Sequence, residues 1–389
     1  MNSTEIDWVQ RARDLAPTIR EAADRTEEEG QVPLDIMNAM HEAQLFRASL
    51  PRSIGGGEAS PLELMEVCEI VAQQDASTAW CLGQALGCNW SAAYTAPVVA
   101  HEMFDPPDSV LAWGPPDPHS KAIRVDGGYR VTGHWRFGSG SRNATWVGGH
   151  SMVYEDENTR ATDENGRPVL RTMLMRKSDI KPIDTWQVLG LRGTGSDDYE
   201  ANDYFVPEGF TTWRDYQPDR HEFGPLYSIP LLTIYGMLFS SLALGIARTT
   251  LDDFIELAKV KRPHGGAPLA ENAVIQSGVA TSNAQLLSSR IFLRDVVSEH
   301  WGVLSANETP SLDLRARLRL AITWSMNQAR EAVNFAFQAA GTNAIFEENP
   351  FERRFRDIHT VSAQGQSHVS NYEPVGMAFL GMTPPPGRV

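Results

Sequence analysis

The chain has 389 residues, 42% hydrophobic and 21% charged, the balance of a globular protein with room for two or three structural units and not of a disordered one. Its formal net charge of -15 argues against a nucleic-acid binder that works by neutralising phosphates, and names no partner of its own. The three cysteines, Cys68, Cys81 and Cys88, form no C-x-x-C pair and share one apolar stretch, which points to buried thiols in a reducing, cytoplasmic compartment and away from a disulfide framework.

The chain opens with MNSTEIDWVQRARDLAP, which carries early charges and no apolar run, so no signal peptide is expected. Residues 1–107 read as a helical domain. One helix closes on Gly30, a second starts near Pro33 with Ile36, Met37, Met40 and Leu45 on one stripe, and a longer apolar helix follows from SPLELMEVCEIV onward. Residues 108–220 change to short runs rich in Val, Tyr, Trp and Thr, separated by Gly, Asp and Pro, the punctuation of a small β-barrel or sandwich. Asp126-Gly127-Gly128 predicts a hairpin turn, and the polar insertion 155–168 predicts an exposed hairpin tip. Residues 221–389 return to helix, with long segments at 236–260, 270–307 and 311–340 and a shorter fourth, the pattern of an antiparallel four-helix bundle. The apolar run 229–247 contains Thr233, Tyr235, Ser240 and Ser241 and continues into an amphipathic helix, so it reads as a core helix and no membrane span is expected. The fold class is therefore α+β, with a helical domain, a β domain and a helical bundle in that order.

Several familiar chemistries are missing. GSGSRN has Asn143 where the third glycine of a dinucleotide fingerprint would stand, and there is no P-loop, H-E-x-x-H or G-x-S-x-G string. The ten histidines lack metal-ligand spacing, so no metal is expected.

Four strings carry a resemblance. VDGGYRVTGHWRFGSGSRNATW (125–146), WQVLGLRGTGSDDYEANDYFVPE (186–208), AKVKRPHGGAPLAENAVIQSGVA (258–280) and QAAGTNAIFEENPFERRFRDIHT (338–360), in this order, are similar to signatures of the acyl-CoA dehydrogenase superfamily. Within it the chain most resembles the two-component, group D type, flavin-dependent monooxygenases. That resemblance implies reduced FMN or FAD delivered by a separate NAD(P)H:flavin reductase, and O2 activated as a flavin C4a-(hydro)peroxide. It further implies a small aromatic or heterocyclic substrate and a homodimer or homotetramer.

A flavin needs hydrogen-bond partners along its edge and an apolar wall. Trp113, Trp135 and Phe137 can supply wall, and the hydroxyls of Ser139 and Ser141 can meet the edge; by resemblance Ser139 sits near flavin N5. Arg192, Thr194 and Ser196, on the glycine-rich strip G-L-R-G-T-G-S, allow close backbone approach and offer one cation. By resemblance Arg262, Gln276, Gln338 and Gly341 reach the flavin of a neighbouring subunit, its phosphate or adenosine groups included. Arg354, Arg356 and Asp357 read instead as a structural ion-pair knot.

The position just past this R-D pair discriminates between reactions. Acyl-CoA dehydrogenases carry their catalytic glutamate there; this chain has Gln364 and Gly365, and Tyr372-Glu373 falls about two helical turns too late and precedes Pro374. Many of the monooxygenases have a histidine at the position of Gln364, whereas here the nearest histidines are His359 and His368. An amide donates a hydrogen bond but cannot act as acid or base near neutrality, which favours an electron-rich substrate such as an indole, an amine or a sulfide. Ser139, Ser141, Gln364, His359 and His368 are the candidate catalytic residues. Two other readings are an acyl-CoA dehydrogenase or other flavin oxidase, and a non-catalytic flavin-fold binding or assembly protein.

Overall fold

A computed structural model describes residues 6–389; the first five residues of the amino-terminal stretch read above lie outside it. Six helices come first: α1 (Trp8–Glu21), α2 (Ala23–Glu29), α3 (Leu34–Glu42), α4 (Pro61–Ala72), α5 (Ala76–Trp90) and α6 (Pro97–Phe104). Side chains set their ends. Asp7 accepts the Gln10 N–H before α1, Ser60 and Glu63 form a reciprocal capping box before α4, and Gly30 closes α2 at φ 65°. Two helices expected as continuous are broken. The first divides at Ala22. The long apolar one stops at Ala72, and Asp75 caps a new helix by accepting the Thr78 N–H at 2.6 Å. A buried Asp can serve this way because one carboxylate replaces the backbone acceptor that a helix start lacks.

The middle of the chain forms β1 (Leu111–Ala112), β2 (Lys121–Val125), β3 (Gly128–Trp135), β4 (Trp146–Tyr154), β5 (Leu170–Arg176), β6 (Lys181–Ile183), β7 (Asp198–Pro207) and β8 (Thr211–Thr212). They make one eight-stranded mixed sheet in the order β6-β7-β3-β2-β4-β5-β8, with β1 parallel to the start of β4. The barrel or sandwich expected here is thus a single sheet with the short strands β6 and β8 at its edges. The β2–β3 hairpin turns on Asp126-Gly127, and Gly128 already pairs with Val125. In the 155–168 insertion, Asp156 and Asp163 each bind backbone N–H groups two to four residues ahead, which makes two small Asx-type turns. The sheet buries its own core around Val131, Trp135, Val147, Met173 and Tyr199.

The helices α7 (Leu231–Val260), α8 (Ala273–Ser305), α9 (Leu312–Ala340), α10 (Pro350–Val361) and α11 (Tyr372–Phe379) complete the chain. α7 is long and apolar enough to cross a membrane, yet 83% of its most apolar window is buried inside the fold. It packs against α4, α5, α8, α9 and α10, so the helices at the two ends of the chain share one core. Each large side chain buried there, such as Trp90 or Phe254, contributes about 1.5–3 kcal/mol relative to exposure.

The ion-pair knot lies on α10. Arg356 pairs with Glu352 and Glu27, Arg353 with Glu27 and Asp24, and Arg354 with Asp253, which ties α10 to α2 and α7. Asp357 is buried and accepts the Leu191 N–H at 2.6 Å, tying α10 to the loop before β7. Burial pushes the Asp357 carboxyl up to about 7; the Leu191 N–H and Arg356 oppose this, while Asp75 and Glu27 add to it.

The unfolded chain releases this proton near the ordinary Asp value of about 3.9. Between that value and about 7 the folded protein binds a proton that the unfolded chain does not, so this group's contribution falls as pH rises through the window. Asp357→Asn keeps an oxygen for the Leu191 N–H. Thermal unfolding should therefore find it near wild type at about pH 4.5 and more stable than wild type at about pH 8. A variant destabilised equally at both values would contradict this.

Candidate active site

A cavity of about 800 Å³ opens between the loops of the sheet and the helices. That is within the range of about 300–1,000 Å³ typical of small-molecule and cofactor sites. One wall comes from sheet loops: Trp113 to Pro116, Phe137, Ser139, Trp186 and Leu191. The other comes from α5 (Trp80, Gln84), α7 (Leu231, Leu232, Tyr235, Phe239), Arg214 and Asp215 after β8, Thr360 at the end of α10, and Ala363 to Gln366 after it. Trp80 stacks on Phe239 at 4.0 Å and 5°, and Phe239 is parallel to Tyr235 at 5.5 Å and 11°, the pair that one turn of α7 brings together. Tyr235 lies flat on α5 only because residue 87 is glycine: a Cβ there would fall 2.2 Å from its ring.

The polar edge of the cavity is built by a line of hydroxyls. Thr194 Oγ1 donates to the Leu191 carbonyl at 2.9 Å. With that hydrogen committed, Ser196 must donate to Thr194 (2.6 Å) and Ser139 to Ser196 (2.7 Å). Trp80 Nε1–H donates to Ser139 Oγ at 3.0 Å. Ser139 is left with one lone pair, so towards the cavity it can only accept. Gln364 is oriented in a similar way. Its Oε1 accepts the Gln366 N–H at 2.9 Å, so the amide NH2 points the other way; one hydrogen meets Met326 Sδ at 3.3 Å and the second is open.

Of the residues singled out from sequence, Trp113, Phe137, Ser139 and Gln364 line this cavity. Thr194 and Ser196 stand behind Ser139, and Ser141 is buried in the turn beyond it, its N–H bonded to the Gly138 carbonyl. Trp135 lies elsewhere: fully buried in the sheet core, it stacks on Tyr199 and donates to the His150 carbonyl at 3.0 Å. It ends β3, two residues before Phe137, and Phe137 adopts φ 58°, which breaks the alternation and sends the two rings to different places. Arg192 points outward to Glu27 and the Val188 carbonyl. His359 sits behind Thr360, bonded to Asn334 at 2.9 Å and packed on Phe355; burial, helped by Arg330, lowers its pKa. His368 is exposed and caps the turn at Ser370. Arg262, Gln276, Gln338 and Gly341 lie away from the cavity, at the end of the bundle where Lys261 Nζ bonds the Ala340 carbonyl.

Sequence reasoning missed Trp80, Gln84, Trp186, Arg214 and Tyr235. Trp80, Gln84 and Tyr235 sit in runs that read simply as core helix. Arg214 sits among polar residues just before the change from strand to helix read at 220/221. Only the tertiary fold brings them together. Among the described residues no group of three or more His, Cys, Asp or Glu side chains could hold a metal ion.

The comparisons agree with this architecture. Residues 4–96 match the acyl-CoA dehydrogenase N-terminal domain, and residues 237–369 match the acyl-CoA dehydrogenase C-terminal domain. An indole-3-acetate monooxygenase of Pseudomonas putida is 30% identical over 91% of this chain and 88% of its own length. The oxygenase subunit HsaA of a flavin-dependent monooxygenase from Rhodococcus jostii is 27% identical over 93% and 94%. The crystal structure of a 3-HSA hydroxylase from Rhodococcus sp. RHA1 superposes with a TM-score of 0.88 at 25% identity, covering 98% of this chain and 99% of that one.

Two glycines on the cavity wall give contrasting expectations. A Cβ on Gly114 would fall 1.7 Å from the Arg136 carbonyl oxygen, whereas one on Gly365 would meet nothing within 4 Å. In denaturant unfolding Gly114→Ala should cost about 1–3 kcal/mol, and Gly365→Ala should stay within about 0.5 kcal/mol of wild type. Equal losses would refute the close approach of the 114 and 136 backbones.

Proposed function

The chain belongs to the acyl-CoA dehydrogenase family, in its flavin-dependent monooxygenase branch, and from that premise we propose that it is the oxygenase component of a two-component system. Reduced FMN or FAD arrives from a separate NAD(P)H:flavin reductase, and the substrate is a small, electron-rich aromatic or heterocycle. The observation that carries the reading is the oriented hydroxyl line. Ser139 presents an acceptor to the cavity, and a reduced flavin ring carries an N–H at N5 where the oxidised ring carries only a lone pair. A site wired in this direction favours the reduced ring.

The residues present suit a flavin. Trp113, Phe137 and Trp186 offer flat apolar surface on the sheet side. When bound, the reduced flavin supplies the electrons and the oxygen-activating carbon, so that one atom of O2 enters the substrate and the other leaves as water. The chain's own groups do the rest. Trp80, Tyr235 and Phe239 exclude water from the substrate side, and the open Gln364 N–H can donate to an oxygen atom without titrating. No ionisable side chain stands at the position of Gln364, which speaks for oxygenation and against proton abstraction next to a thioester. Arg262, Gln276, Gln338 and Gly341 would hold the flavin phosphate or adenosine groups of a second copy. Val274, Leu287 and Ile291, apolar yet exposed along α8, support such pairing into a dimer or tetramer. The three cysteines are buried and unbridged, which suits a cytoplasmic protein.

The test is isotopic. Reduced FMN or FAD, 18O2 and indole-3-acetate should yield a product carrying one 18O atom. Oxygen consumed only to hydrogen peroxide, with no labelled product, would sink the proposal. Gln364→Ala should divert oxygen from product to hydrogen peroxide by several-fold at unchanged flavin affinity.

A further inference from the structure

The cavity contains one charge that its lining does not explain. Arg214 follows β8 and lines the cavity next to Trp113 and Tyr235. Its guanidinium lies over the Trp113 ring, 5.5 Å from the centroid, and forms no ion pair or hydrogen bond with any described residue. Its neighbours are engaged elsewhere. Asp215 turns its carboxylate to the Leu231 N–H at 3.0 Å, at the start of α7. The Tyr235 hydroxyl is held by Gln84 Nε2 at 3.3 Å and Cys88 Sγ at 3.4 Å. Withdrawal from water lowers the Arg214 pKa, as expected of a cation in a poorly compensating environment.

A guanidinium carries five N–H donors, and leaving them unmet in a largely apolar cavity is costly. The ring beneath it supplies only part of the compensation, about 0.5–2 kcal/mol for a cation over an aromatic face. The arginines of the knot on α10 behave differently: Arg353, Arg354 and Arg356 all have carboxylates within ion-pair distance. The natural complement of a guanidinium fork is a planar carboxylate, taken through two parallel hydrogen bonds. The remaining wall is flat and aromatic, with Trp80, Phe239 and Tyr235 in one parallel stack.

We propose that Arg214 anchors the carboxylate of a planar aromatic acid, an arylacetate-like substrate whose ring lies against the Tyr235–Phe239 surface. This rests on the monooxygenase reading and narrows its substrate class from aromatic compounds in general to aromatic acids. The anion that fits Arg214 could also be a flavin phosphate, and the experiment separates the two.

Anaerobic calorimetric titrations would compare indole-3-acetate with indole-3-acetamide, which has the same ring and nearly the same shape but no charge. Wild type should bind the acid at least tenfold more tightly. Arg214→Gln should abolish that preference while binding the amide as before, Arg214→Lys should keep part of it, and reduced FMN should bind wild type and Arg214→Gln alike. Three results would overturn the assignment: no preference in wild type, equal weakening of acid and amide in Arg214→Gln, or a tenfold loss of FMN affinity with the acid preference intact. Because these readouts need no turnover, a protein that passed them yet never incorporated 18O would refute the monooxygenase reading alone.

Discussion

The active cavity depends on one buried hydrogen bond, from the Leu191 N–H to the Asp357 carboxylate. The loop it holds is shaped for contact. Gly190 lies so close under the Arg356 backbone that a Cβ would fall 2.2 Å from its carbonyl oxygen, and Leu191 is in the left-handed region at φ 54°. A leucine in that conformation is strained and persists only where the surroundings over-determine it. Once held, the Leu191 carbonyl accepts from Trp186 Nε1, Thr194 N and Thr194 Oγ1. The last of these sets the direction of every hydroxyl out to Ser139. The chain thus uses a carboxylate on α10 to decide, through four residues, that the sheet-side edge of the cavity accepts a proton donor.

This dependence also explains the ion pairs around Asp357. Arg356, Arg353, Glu27 and Glu352 anchor α10 against the amino-terminal helices, and none of them lines the cavity. Exposed pairs of this kind are worth little, but a partly buried network that fixes the angle of a helix has a geometric consequence. The end of α10 and the loop that follows it carry Thr360 and Ala363 to Gln366 along the opposite side of the cavity. One knot therefore positions both the acceptor at Ser139 and the amide at Gln364.

The sequence made the order of helices, strands and bundle legible, because helical stripes of apolar residues give way between 108 and 220 to short runs rich in Val, Tyr, Trp and Thr punctuated by Gly, Asp and Pro. It also pointed to Ser139, Phe137, Trp113 and Gln364 through local strings with a family likeness. It was weaker where a single backbone angle or a distant neighbour decides the outcome. Trp135 and Phe137 look equivalent two residues apart until the positive φ at Phe137 separates them. Arg192 looks like a ligand arginine until the turn at Leu191 sends it outward to Glu27. Arg214 looks like a linker residue, because nothing local reveals that the chain after β8 folds back over Trp113. The net charge of -15 takes on meaning here: an anion entering so acidic a molecule must be met by a local cation, and in this cavity that cation is Arg214.

The central claim is that one cavity holds the reduced flavin ring against the sheet loops and the aromatic acid against α5 and α7. A crystal structure after anaerobic loading with reduced FMN and indole-3-acetate tests it most directly. The account predicts the flavin ring beside Trp113 and Phe137 with an N–H on Ser139 Oγ, and the carboxylate on Arg214. A flavin ring bound elsewhere, or one that turns a carbonyl oxygen to Ser139, would contradict it.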